Sequence, residues 1–210
     1  MNPARILVVE DEFIVAKEIE MRIAAMGYQV VESALNAQEA LKLTEEHRPN
    51  LVLMDIHLQG EMDGITAAEE IRRRFQLPVI FVTAYSEDTT LERAKVAEPY
   101  GFILKPFEER ELKSAIEIAL YKHHAQREIL RMNRLYDVLS QVNQAIVRTT
   151  SRDNLLETIC RITVERGAVN LAWIGWLDPE TARIYPVAHW GSHEELLNRA
   201  VFYADDRPEG

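Results

Sequence analysis

The sequence predicts an α/β fold, a doubly wound five-stranded parallel sheet, followed by a long C-terminal helix and a small, incomplete α+β segment. Three observations predict it. Over the first 122 residues, short apolar runs alternate five times with segments of helical spacing, an order that packs as a parallel sheet with helices on both faces. The runs are continuously apolar, as strands buried on both sides require. From Glu108 the helical pattern then continues without Gly or Pro to about Val147, a rod of ~60 Å at 1.5 Å per residue.

The expected strands are Ile6–Val9, Gln29–Ser33, Leu51–Asp55, Val79–Thr83 and Gly101–Leu104. Between them the helical segments are Phe13–Met26, Ala37–His47, Gly64–Phe75 and Asp88–Ala97, with a fifth beginning at Glu108. Gly27 supplies a stop after the first helix. Asn36 with Glu39 makes a capping pair before the second, and Pro49 and Pro78 precede strands three and four, where a helix cannot continue. In the long helix Met132, Leu135, Leu139, Val142 and Ile146 are spaced 3, 4, 3, 4, a heptad seam. Leu112, Ile116 and Ala119 show related spacing in another register, so the seam is expected to shift between residues 119 and 130. Because the helix outruns its own domain, it reads as a coiled-coil connector joining two protomers of a homodimer.

After Thr149-Thr150-Ser151 a helix is expected over Arg152–Gly167. Two apolar runs follow, Leu171–Leu177 and Ile184–Trp190, joined by Asp178-Pro179-Glu180-Thr181, whose composition is that of a hairpin turn. A last helical stretch is expected over Glu194–Tyr203, before the polar end Asp205–Gly210. Trp173, Trp176 and Trp190 read as core, and Cys160 as a small buried residue. One helix, one hairpin and one short helix make a poor core, so this unit reads as incomplete. The division expected is 1–122, a connector over 123–150, and 151–210.

Composition bounds the function. The 210 residues are 47% hydrophobic and 28% charged, with a net charge of −10 and a pI near 5.2. That balance repels phosphate backbones and argues against nucleic acid as a direct partner. Residues 1–122 hold 14 basic and 22 acidic residues, so most of the acidity lies there. A single cysteine excludes an internal disulfide and any CxxC site. No apolar run approaches the ~20 residues of a membrane span, and the N-terminus lacks a signal-peptide core; a cytoplasmic protein is expected.

Ligand sites of open parallel sheets lie beyond the carboxyl ends of the strands. There the sequence places Glu10-Asp11-Glu12, Asp55, Thr83 and Lys105-Pro106. Two carboxylates ~4 Å apart repel by about 4 kcal/mol at a surface-like dielectric. Clustering Glu10, Asp11 and Asp55 is therefore unfavourable unless a cation sits among them, and hard oxygen donors with room for water suit Mg²⁺. A carboxylate, a lysine and a hydroxyl beside such an ion are equipped for phosphoryl transfer.

The segments VVEDE, LVLMDIHLQGEMDG, VIFVTA and ILKPF, in this order, together resemble the response-regulator receiver domain of two-component signalling, over about residues 3–122. The resemblance implies a flavodoxin-like sheet of order 2-1-3-4-5 and a Mg²⁺-dependent switch rather than an enzyme with a separate substrate. Asp55 is then the phosphoacceptor, charged by a sensor histidine kinase. Asp11 and Asp55 bind Mg²⁺ directly, Glu10 largely through water, and the backbone carbonyl of His57 adds a ligand. Lys105 pairs with the phosphate and is followed by Pro106 across a cis peptide, Thr83 hydrogen-bonds the phosphate, and Phe102 holds the aromatic switch position. The first acidic position is Glu, and the loop after Asp55 is one residue longer than the commonest form. His57 and Tyr85 stand where the family tunes phosphoryl lifetime. The segment from Leu155 to Gly191 resembles the opening of a GAF-type sensor domain. It implies an alternative in which the receiver regulates a small-ligand sensor, or a histidine-kinase output of a longer hybrid protein.

Other readings fit less well. An aspartyl-nucleophile phosphatase needs a second Asp two residues after the first, where this chain has His57. A flavin carrier needs a neutral phosphate loop after strand one, where Glu10-Asp11-Glu12 would repel it. His123-His124 reads as a solvated helix face. The pair His189 and His193 is interrupted by Gly191, against a zinc site. Arg72-Arg73-Arg74 reads as a basic helix end complementing the dipole.

Overall fold

Alternate residues of each buried strand supply opposite faces of the sheet. In β1 (Arg5–Val9), Leu7 and Val9 enter one core and Ile6 and Val8 the other. The computed structural model describes residues 3–84, 93, 97–192, 195, 197 and 201–204. Its elements are β1, α1 (Phe13–Ala25), β2 (Gln29–Ala34), α2 (Ala37–His47), β3 (Leu51–Met54), α3 (Gly64–Phe75), β4 (Val79–Thr83), β5 (Gly101–Leu104), α4 (Glu109–Arg148), α5 (Arg152–Gly167), β6 (Leu171–Leu177), β7 (Arg183–Gly191) and β8 (Phe202–Tyr203). The chain divides into two units, residues 1–126 and 127–210.

In the first unit the strands run parallel in the order β2-β1-β3-β4-β5. One face of the sheet buries Val52, Met54 and Phe81 against Ala40, Leu43, Ala68 and Ile71 of α2 and α3. The other buries Leu53, Ile80 and Ile103 against Ile19 and Ile23 of α1 and Leu112, Ile116 and Ala119 of α4. Each such large side chain removed from water stabilises by roughly 1.5–3 kcal/mol. The doubly wound architecture expected from the alternating runs is the one observed. The expected helix over Asp88–Ala97, together with Tyr85, falls largely outside the described residues.

Helix ends follow local chemistry. Asn36 Oδ1 accepts the Glu39 N–H at 2.9 Å, and Glu39 Oε2 accepts the Leu35 N–H at 2.8 Å, a reciprocal cap. Asp63 caps α3 by accepting both the N–H and the hydroxyl of Thr66. Gly27 turns the chain after α1 at φ 86°, whereas α2 and α3 end on Arg48 and Gln76 at φ 47° and 56°.

The long helix carries two apolar stripes rather than one seam that shifts. Leu112, Ile116 and Ala119 are fully buried on the receiver sheet, whereas Ile118 and Tyr121 of the same turns are exposed. Farther along, Met132, Leu135, Leu139 and Ile146 are exposed and Val142 is half-buried.

In the second unit β6, β7 and β8 form an antiparallel sheet packed on α5, with Cys160 buried. The pairing skips Val187, so Ile174 lies opposite Ala188 and Gly175 opposite Pro186. A Cβ on Gly175 would lie 2.2 Å from Ile184 Cγ2 and 2.7 Å from the Trp173 ring; the missing side chain makes room for Trp173 to stack on Phe202 at 4.6 Å. Two expectations are corrected here. Trp176 and Trp190 are exposed rather than core, and Trp176 lies under the Arg152 guanidinium at 4.6 Å. Phe202–Tyr203, expected to end a helix, forms a strand paired with Arg183 and Ile184. His193 and the polar end 205–210 lie outside the described residues.

Candidate functional site

One residue past the ends of β1, β3 and β5, a backbone hydrogen bond clamps the chain to its neighbour. The Glu10 N–H donates to Ala34 O, the Asp55 N–H to Val9 O and the Lys105 N–H to Thr83 O, at 2.8–2.9 Å. The residues that follow β1, β3 and β5 are thereby gathered at the carboxyl edge of the sheet. Glu10, Asp11 and Asp55 each bring a carboxylate oxygen to within 4.8 Å of the other two. Lys105 Nζ reaches Glu10 Oε2 at 2.5 Å and Asp55 Oδ2 at 2.6 Å. The other Asp55 oxygen, Oδ1, accepts the His57 N–H at 3.0 Å.

Burial sets the electrostatics. Glu10 is 1% exposed and its Oε1 has no hydrogen-bond partner. That burial raises its pKa to about 7; the Lys105 hydrogen bond lowers it less than burial raises it, and the Asp55 charge adds to the rise. Burial alone would depress the Lys105 ammonium, but its hydrogen bonds to Asp55 and Glu10 outweigh that and hold its pKa above the ordinary value. An orphaned carboxylate oxygen beside two further carboxylates is a donor set that fits a hard, oxygen-seeking divalent cation. The charge is otherwise only partly offset by one lysine.

The other residues singled out from sequence lie on β4, on β5 and in the segments that follow β3 and β5. Thr83, 1% exposed, ends β4 and accepts the Lys105 N–H on its carbonyl. The Lys105–Pro106 peptide is cis. The Phe102 ring lies 5.5 Å from that of Phe81, tilted by 34°. His57 is exposed, and its backbone N–H reaches the site through Asp55 Oδ1.

In the sequence Gly64 opens a helix and closes the segment LVLMDIHLQGEMDG, and the structure gives it more to do. A Cβ there would lie 1.8 Å from the carbonyl oxygen of Asp55, and the Gly64 N–H donates to Ile56 O at 3.0 Å. The first turn of α3 thus lies against the backbone that carries the central carboxylate. The sequence signals for it are its place at the end of that segment and its position directly after Asp63, where helix propensity alone disfavours glycine.

A sheet of order 2-1-3-4-5 with three acids and a lysine at its carboxyl edge defines a class, and family comparison agrees with it. The model of the response regulator receiver domain matches residues 6–117, more than half of the chain, and the chain belongs to this family. It is 37% identical over 118 residues to the transcriptional regulatory protein PdtaR of Mycobacterium tuberculosis, covering 56% of this chain and 57% of that protein. Two solved structures resemble it in fold and sequence. The receiver domain of a modulated diguanylate cyclase from Desulfovibrio desulfuricans G20 has a TM-score of 0.57 at 31% identity, covering 59% of this chain and 98% of that one. The N-terminal domain of a response regulator/sensory box/GGDEF three-domain protein from Carboxydothermus hydrogenoformans has a TM-score of 0.54 at 36% identity, covering 58% and 98%. The chain spans about half the length of the curated relatives it matches. The family match ends at residue 117, and these comparisons give the GAF-like resemblance of the second unit no support. Among the described residues no helix is long and apolar enough to cross a membrane.

Proposed function

We propose that the chain is a phosphoacceptor switch: Asp55 takes a phosphoryl group from a sensor histidine kinase, and the connector helix of a homodimer passes the change on. The observation that carries this reading is the Lys105 ammonium held between Asp55 and Glu10 beside three clustered carboxylates. Asp11, Asp55 and the His57 carbonyl would hold Mg²⁺ directly, with Glu10 acting largely through water. The ion supplies charge neutralisation at the phosphoryl oxygens.

The chain's own groups do the rest. A carboxylate oxygen of Asp55 attacks phosphorus, and an O–P bond forms as the bond to the donor's nitrogen breaks, its electron pair leaving with the donor. Lys105 stays protonated and exchanges a carboxylate partner for a phosphoryl oxygen. The Thr83 hydroxyl then donates to another phosphoryl oxygen, and Phe102, beside Phe81, is the ring whose position reports the change. The alternative, a receiver regulating a GAF-type sensor or a kinase output, draws on the helix-then-antiparallel-sheet order of the second unit. The transcriptional role in the name of PdtaR belongs to that protein, and the acidic balance of this chain argues against nucleic acid as its own ligand.

Intact-mass measurement with acetyl phosphate and Mg²⁺ tests the reading. The wild-type chain should gain one phosphoryl group and Asp55→Asn none, and beryllofluoride should occupy the same site. A wild-type chain that shows no Mg²⁺-dependent change defeats the phosphoacceptor assignment.

A further inference from the structure

We infer that the dimer seam begins on the receiver itself, with Ile118 and Tyr121 as its first positions and the same helix of a second, parallel copy as its occupant. The inference rests on the connector-dimer reading above and extends it by naming where the interface starts.

The argument begins with the two stripes on α4. Leu112, Ile116 and Ala119 are fully buried, so the receiver already uses that side of the helix. At 3.6 residues per turn, Ile118 and Tyr121 fall on roughly the opposite side. They are 51% and 75% exposed, large apolar side chains with no role in the receiver core. Counting on from them, residues 118, 121, 125, 128, 132, 135, 139, 142 and 146 alternate by three and four without a break. Eight of these nine are apolar, and the frame merges with the connector seam instead of shifting against it. A seam sustained over about four heptads is long enough for a coiled coil.

Charge selects the occupant. In a parallel, in-register pair, each residue just before a first-seam position faces the partner's residue five places on. That rule sets exposed Glu117 against the partner's Lys122, an attractive pair, and Arg131 against the partner's Tyr136, a cation over an aromatic ring. The one charged seam residue, Glu128, lies 3.9 Å from Arg131 of its own helix. In a parallel pair it meets the partner's Glu128, a like-charge layer that costs stability and that Arg131 of each helix offsets in part. A second copy supplies both attractive pairs twice, because a two-fold interface is self-complementary.

Cysteine crosslinking of the full chain, in a Cys160→Ala background, tests the inference. Tyr121→Cys and Leu135→Cys both occupy second-seam positions, where parallel helices bring Cβ atoms within disulfide range. Arg127→Cys is exposed and off the seam. Mild oxidation should convert both seam variants to covalent dimers and leave Arg127→Cys monomeric on a non-reducing gel. If Leu135→Cys crosslinks and Tyr121→Cys does not, the connector dimer stands and the receiver-borne start of the seam is overturned. If neither crosslinks and the wild-type chain sediments as a monomer, both readings fall. Equal crosslinking of all three variants means random collision and overturns the inference as well.

Discussion

Replacing Gly64 by alanine tests how tightly α3 is set against the acidic site. The added Cβ would lie 1.8 Å from the Asp55 carbonyl oxygen and 2.9 Å from the carbonyl carbon. Ordinary contact needs about 3.5 Å, so backbone must yield by roughly 1.5 Å. Both sides of the contact are backbone, and no flexible side-chain end can swing away. In an open helix the same change would stabilise by about 0.5–1 kcal/mol. Overpacking of this kind costs about 1–3 kcal/mol, so we expect a net loss of about 1–2 kcal/mol, with a melting temperature lower by several degrees. The displaced atom is the carbonyl of the residue that carries the central carboxylate. A misplacement approaching 1 Å at a reacting group can cost on the order of 10²-fold in rate, so labelling by acetyl phosphate should slow along with the loss of stability. Thermal melts and a mass-spectrometric time course read the two effects separately. A variant that melts at or above wild type and labels at the wild-type rate would refute the close-approach argument.

Three further outcomes are expected. Glu10 has a folded pKa near 7 against 4.5 for an ordinary glutamate; the native state therefore binds the extra proton, and its stability falls as pH rises through that window. Without divalent ions, Glu10→Gln should match wild type near pH 4 and exceed it by about 2–3 kcal/mol at pH 8; parallel urea-unfolding curves across the range would contradict this. Removing the Asn36 cap by Asn36→Ala should cost about 1 kcal/mol in urea unfolding, with no change in phosphoryl labelling. Gly175→Ala should push against Ile184 and Trp173 and alter tryptophan emission; an unchanged spectrum and melting curve would show that the ring is not confined there.

Most of the receiver was legible because its strands obey one rule, burial on both faces. That rule writes continuous apolar runs such as Leu51–Met54 and puts the charged residues that follow them at one edge. The acidic cluster was legible for the same reason: three acids follow two neighbouring strands, and the sheet brings their carboxylates together at one edge. What was hidden depends on distance rather than residue type. Nothing in the spacing distinguishes Gly64 from a glycine tolerated at a helix start. The left-handed ends at Arg48 and Gln76 carry no glycine to announce them. In the hairpin, the unpaired Val187 breaks simple alternation between strands, and exposed Trp176 and Trp190 are apolar residues that composition alone assigns to a core. The long helix misled in another way, because two apolar stripes projected onto one sequence read as a single seam out of step.

The backbone clamps at the strand ends bear on how this chain can change over time. Asp55 is fixed on one side by its N–H on Val9, and the chain is caught again where the Gly64 N–H meets Ile56 O. Between those two anchors, residues 57–63 form a segment whose length does not set the position of the carboxylate. An insertion or deletion there is absorbed as loop. The same event inside Leu51–Met54 would turn Asp55 to the opposite face of the sheet. Tolerance to length variation is thus confined to one side of the acid, and lineages can remodel the rim of the site while its centre stays in place.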